Sequence, residues 1–233
     1  MYFMYLTIEF YQVSRAEKPA DAPEMVSVFD FRWALISATV LHFLKRQFSK
    51  VVEPIIRPIC KNQNDVALLK VRSHKAALQI YKCFYMIATS IWGYLVYKDT
   101  EVYPYLLGGT NVSGESYYIN SPYNRAVDGA LMYAMITYGY HLEELVDLVC
   151  FLEPSNDYYE MLLHHLAAVI LNLGMIGNNS INAAGMCAYL HGLADIFVYL
   201  SRVFSQTEYA KYGYAAFALL IVSWFWTRLV VIQ

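Results

Sequence analysis

Three histidines and one aspartate fall inside strongly apolar sequence: His164-His165, then His191 and Asp195. Ionisable groups in segments apolar enough for a bilayer are costly. They turn toward a cavity, a partner or a bundle interior, so they are the first candidates for chemistry. His191 and Asp195 are four residues apart, which stacks them on one helical face, with Tyr199 and Arg202 roughly in line. A carboxylate at that spacing can hold one imidazole nitrogen and fix the tautomer. The other nitrogen then accepts a proton, as general-base chemistry requires. The same pair would equally serve as an interhelical hydrogen-bond cluster. His164 and His165 diverge by about 100° on a helix, so only one faces a given cavity. Glu160 lies one turn before His164.

A further polar group precedes these residues: His141, Glu143, Glu144 and Asp147. Glu143 and Asp147 share a face, where two carboxylates repel unless a proton or a cation intervenes. The group fits a cavity lining or a helix end near the membrane interface, and the second reading is preferred. Imidazole and carboxylate side chains also suit zinc or iron. The His-x-x-His-His pattern of membrane di-iron hydroxylases is absent, however, and six histidines are too few for it. No metal and no bound cofactor are expected. A retinal Schiff base would need a lysine inside a late span, and Lys211, at a helix start, is the only lysine after Lys98. The four cysteines, Cys60, Cys83, Cys150 and Cys187, form no Cys-x-x-Cys pair, so neither zinc nor redox chemistry is indicated.

These side chains need elements to position them, and composition says which. Of the 233 residues, 58% are hydrophobic and 15% charged, with a mean hydropathy of +0.33. A soluble domain is usually about a quarter charged. The expected fold is all-α, a multi-pass transmembrane helix bundle of about five to six spans, because backbone groups in lipid must be satisfied internally. The predicted helices cover residues 26–48, 76–97, 126–151, 158–176, 183–204 and 212–232. The first is a marginal span carrying Asp30, Arg32 and His42, and the third is closed by Pro154. Three regions follow: an interfacial and loop segment over 1–25, a marginal helix with a basic loop over 26–69, and a membrane domain over 70–233. The N-terminus lacks a basic leader region and is not Arg-rich, so neither a signal peptide nor a transit peptide is expected.

Charge sets the orientation. Net charge is −2, which gives no pull toward nucleic acid. Yet nine of the seventeen basic residues fall between Lys45 and Lys82 (Lys45, Arg46, Lys50, Arg57, Lys61, Lys70, Arg72, Lys75 and Lys82), opposed by Glu53 and Asp65. That loop belongs on the cytosolic or matrix side, with a solvated topogenic role favoured over specific lipid contact. Pro54 and Pro58 are expected to limit helix there, and Lys82 to snorkel to the head groups. Residues 99–124 form a long loop on the opposite side, containing the sequon Asn111-Val112-Ser113.

Asp157 to His165 (DYYEMLLHH) resembles the opening of the ceramide synthase signature, Asp-Phe-x-x-Met-x-x-His-His, within the TLC-domain family. Asn178-Asn179 matches that family's paired asparagines. His191 and Asp195 fall at its His-Asp-x-x-Asp with no insertion after the double histidine. Tyr140–Phe151, the stretch Tyr81 to Tyr85 and Thr227-Arg228-Leu229 are similar to neighbouring family stretches. The similarity runs from about Lys70 to the end.

The resemblance implies acyl transfer from acyl-CoA to the amine of a sphingoid base. It implies a catalytic group of His164, His165, His191 and Asp195, and substrate contacts at Asn178, Asn179, Tyr199 and Arg228. Membrane lipid would fill the apolar interior, and the basic side would attract CoA phosphates. The resemblance also implies the endoplasmic reticulum, while the residues leave the mitochondrial inner membrane open. Departures are specific: Gly192 replaces the first aspartate of the His-Asp pair, Ala168 a usual threonine, Asn182 an arginine and Tyr199 a glutamate. The chain also ends at Gln233, where the family continues into another span. Two function classes therefore stand: an N-acyltransferase, or a TLC-fold protein of weakened chemistry. The second would bind lipid, pair with a second copy, or serve as an accessory subunit of a larger membrane assembly.

Overall fold

The computed structural model describes residues 2–112, 114–151 and 158–231. Ser113 of the sequon, Pro154 and Asp157 lie outside the described residues. Seven α-helices are present among those described: α1 (Tyr2–Ala16), α2 (Arg32–Ile56), α3 (Val66–Tyr97), α4 (Ala130–Cys150), α5 (Tyr158–Gly177), α6 (Ile181–Gln206) and α7 (Ala210–Phe225). α7 runs into a π-helical turn, Trp226–Val230. The all-α expectation holds. Three helices are long and apolar enough to cross a membrane: α5, α6, and α7 with its π turn. α2, α3 and α4 are long enough, at 25, 32 and 21 residues, but carry more charged residues.

One expectation fails. Pro54 was expected to keep residues 49–56 from helix, yet it sits inside α2. The loss is one hydrogen bond, since Pro54 has no N–H to donate to the carbonyl four residues back, near a helix end whose carbonyls are already short of donors. The basic segment is thus mostly two helix ends, joined by a short turn over residues 60–65.

The chain divides into two compact units: Met1–Leu41 with Leu95–Ala188, and His42–Tyr94 with Tyr189–Gln233. In the first unit α4 packs on α5, and α1 also meets α5. Gly139 lets α4 approach the first half of α2. A Cβ there would come within 2.5 Å of the Ala34 carbonyl, and Ser37 Oγ donates to Ile136 O at 3.1 Å. Small residues are what permit such backbone approach in an apolar setting. Residues 98–129 fold back on themselves, with Tyr105 N donating to Asn111 O (2.7 Å) and Asn111 N to Tyr103 O (3.0 Å). Burial pushes the Tyr117 hydroxyl in this loop up to about 12, against a weaker opposing hydrogen bond from Asn111.

In the second unit the α2–α3 turn is stitched to the α6–α7 turn. Lys61 N donates to Gln206 O and Glu208 N to Ile59 O, both at 3.0 Å, and Lys61 Nζ reaches Ser205 O at 3.1 Å. Both turns therefore lie at the same end of this unit. Cys60 is wholly buried beside them. That burial raises its thiol pKa, and Arg72 only partly offsets the effect.

Candidate functional site

Each unit carries its own cluster of polar side chains on apolar helices. In the first, Glu143, Glu144 and Asp147 on α4 are 3%, 4% and 6% exposed. They sit in the last two turns of α4, so this helix end is turned into protein. The signal was in the sequence. Tyr133, Thr137, Tyr140, Glu144 and Asp147 recur every three or four residues, so the acids continue a buried stripe that begins with tyrosines. α4 packs on α5, which carries His165 buried and His164 exposed. Their rings are 5.3 Å apart and inclined at 69°. Of the pair, His165 is the one turned into protein.

After α5 the chain turns through Asn179, whose φ of 58° is left-handed, a region asparagine tolerates better than most residues. Its side chain is engaged at both atoms: Oδ1 accepts from Val26 N at 3.0 Å, and Nδ2 donates to Pro122 O at 2.5 Å. Asn182, at the start of α6, does the same one step on, accepting from Val127 N (2.8 Å) and donating to Arg125 O (3.1 Å). Both amides act as splices between distant backbone segments. Asn178 differs. Its Oδ1 is buried and accepts no hydrogen bond among the described residues.

In the second unit His191, Asp195 and Tyr199 line one face of α6, the first two half-buried and the third buried. Arg228 Nη2 lies 3.2 Å from Asp195 Oδ1, with side chains 18% and 24% exposed. Arg228 sits in the π turn, where Val231 N reaches back five residues to Trp226 O at 2.9 Å. A π turn adds a residue to the helical cycle and so changes the direction in which later side chains point. The guanidinium also lies 5.5 Å from the Trp224 ring centre. Its Nε is buried with no hydrogen-bond partner among the described residues.

The Lys82 ammonium lies 5.9 Å over the Tyr199 ring. The α6 stripe is thus flanked by one cation from α3 and one from the π turn. Gly192 is buried on this helix. A Cβ there would stand 3.3 Å from Ser90 Oγ and 3.8 Å from Met86 Sδ, so glycine brings α6 close against α3.

The structure therefore joins Asp195 to Arg228 and Tyr199 to Lys82. It separates His164 from His165 by burial. The double histidine and the two asparagines belong to one unit; His191, Asp195, Tyr199 and Arg228 belong to the other. In the first unit the long loop also lines a cleft of about 720 Å³ with Glu101, Ser116, Arg125 and Asp128, and none of the predicted site residues borders it.

The TLC domain matches residues 75–233. The chain belongs to the TLC-domain family. The match takes in α3 from Lys75 onward and every helix after it, including both polar clusters. Over 201 residues, 85% of its length, the chain is also 24% identical to a sphingosine N-acyltransferase of Schizosaccharomyces pombe. It spans about half, 49%, of that relative. The resemblance read from the double histidine and the His191–Asp195 register is borne out at the level of family. With α5, α6 and α7 each able to span a bilayer, this TLC domain is an integral membrane domain.

Proposed function

We propose that this TLC-domain protein transfers an acyl group from acyl-CoA to the primary amine of a sphingoid base, in the endoplasmic reticulum membrane. The observation that carries the reading is the α6 stripe: an imidazole, a carboxylate and a phenol in line on an apolar, membrane-length helix, with the carboxylate charge held by Arg228. The similarity to a sphingosine N-acyltransferase supports the choice of substrate class.

In this reading the amine nitrogen attacks the thioester carbonyl. The His191 imidazole, in line with Asp195 on α6, accepts the amine proton as the C–N bond forms. The C–S bond breaks, CoA leaves as a thiolate, and the proton returns to the leaving sulfur. Asp195 balances the charge on the imidazolium. Tyr199 and Arg228, in the same unit, are assigned to the polar head of the base.

The test is direct. Purified protein in nanodiscs receives labelled acyl-CoA and a sphingoid base, and the N-acyl product is measured. Wild type should form product, and His191→Ala should lower the rate about a hundredfold or more, the scale of lost acid–base catalysis. Wild type without product, under conditions where a sphingosine N-acyltransferase works, overturns the reading. One observation favours a second reading, a TLC-fold lipid-binding or accessory subunit. Gly192 offers no carboxylate, and Asp195 is already matched by Arg228. An inactive wild type that migrates intact as a stoichiometric part of a larger membrane assembly would support that alternative.

A further inference from the structure

The second half of α2, with the 3-10 turn Arg57–Ile59 that continues it, carries three stripes. With 100° per residue and Arg46 taken as zero, Lys50 and Arg57 fall within about 40° of it. Arg46, Lys50 and Arg57 are all exposed. The opposite side, about 140–180° away, holds Leu44, Val51 and Ile55, exposed by 52%, 64% and 71%. Between them Leu41, Lys45 and Ser49 are buried, and Phe48 packs on Tyr81 and Phe84 of α3. The helix is thus anchored along one side and presents a basic stripe and an apolar stripe outward. A helix with that division sits in the head-group layer, its apolar side in the acyl region and its cations among the phosphates.

Two acids lie in this region, and each has a contact of its own. Glu53 pairs with His74 at 3.1 Å. Asp65 accepts from Leu68 N at 3.0 Å, at the start of α3. Lys70 and Lys75 on α3 add exposed positive charge.

We propose that the segment His42–Ile59 is an interfacial anchor that binds anionic phospholipid head groups of the leaflet it lies in. Soluble CoA supplies the same phosphate chemistry but nothing for the Leu44–Val51–Ile55 stripe, whereas a phospholipid satisfies both stripes at once. A purely topogenic helix end needs positive charge but no apolar stripe beside it. The anchor is independent of any reaction, so it survives or fails separately from the acyl-transfer reading.

The experiment is hydrogen–deuterium exchange on the full chain in nanodiscs of phosphatidylcholine alone, and with about a third phosphatidylserine. Each exposed cation at an anionic surface contributes a factor of about five to association at low salt. Phosphatidylserine should slow exchange in residues 42–59 several-fold, leaving α5 and α7 unchanged. High salt should reverse the effect, and the triple variant Arg46→Gln/Lys50→Gln/Arg57→Gln should abolish it. Identical exchange in the two lipid mixtures overturns the proposal and leaves a solvated topogenic face. So does equal protection from free CoA over phosphatidylcholine alone, which would mark a soluble-polyanion site. The wild-type lipid comparison does not require the variant to fold.

Discussion

Asp195 and Arg228 show how one contact redefines two residues. Read from sequence, the aspartate orients an imidazole and the arginine waits for substrate. In the structure they meet at 3.2 Å, each about four-fifths buried. Removing one partner leaves the other's charge in a poorly solvated place, which costs more than the pair contributes. Arg228→Met should therefore destabilise the fold by about 1–3 kcal/mol, less than for a fully buried pair because both side chains keep some water. Asp195→Asn on top of it should restore most of that, since no lone charge then remains. Thermal unfolding of the single and double variants in one detergent checks this; additive losses would show that the contact is incidental. The π turn that aims Arg228 could not be read from Thr227-Arg228-Leu229, because a one-residue change in helical repeat leaves no mark in composition. The His191–Asp195–Tyr199 line, by contrast, was legible from spacing alone. The burial of Glu143, Glu144 and Asp147 was legible too, as part of the tyrosine stripe, but carboxylates read by type look like a helix end.

At the scale of elements, helices were legible because their apolar runs are long, and α5 and α6 begin and end within two residues of where periodicity puts them. What escaped was the behaviour of the ends. Pro54 reads as a breaker yet sits in a last turn that has little left to lose, and the basic segment is helical on both sides of its turn. The paired asparagines matched a family pattern, and no spacing rule says that Asn179 ties residues 26 and 122 to the α5–α6 turn. That splice predicts its own variant. Asn179→Ala removes two hydrogen bonds, leaves the buried Val26 N–H without its acceptor, and places alanine at a positive φ. The summed cost is about 3–4 kcal/mol. Asn179→Gly relieves the backbone term only, so it should fall between alanine and wild type. Exchange at residues 122–127 should rise in both variants. An alanine variant as stable as wild type, with no rise, would mean that the loop is held by other contacts.

For the whole molecule, orientation follows from where positive charge collects and which turns share an end. The α2–α3 turn and the α6–α7 turn are joined by two backbone hydrogen bonds, so whatever side holds one holds the other. The excess of lysine and arginine from Lys45 to Lys82 predicts that this end faces the cytosolic or matrix side. A 32-residue α3 rising from it is about 48 Å long at helical rise, enough to cross and carry residues 98–129 to the far side. Cysteines placed at Gln63 and Glu208, in a background lacking the four natural ones, should therefore label with an impermeant maleimide from the same side of sealed membrane vesicles, and only after opening when that side faces the lumen. A cysteine at Ile119, exposed on the long loop, should show the opposite pattern. Gln63 and Glu208 labelling from different sides would contradict the hydrogen-bonded pairing of the two turns. Ile119 labelling together with Gln63 would mean that α3 does not cross.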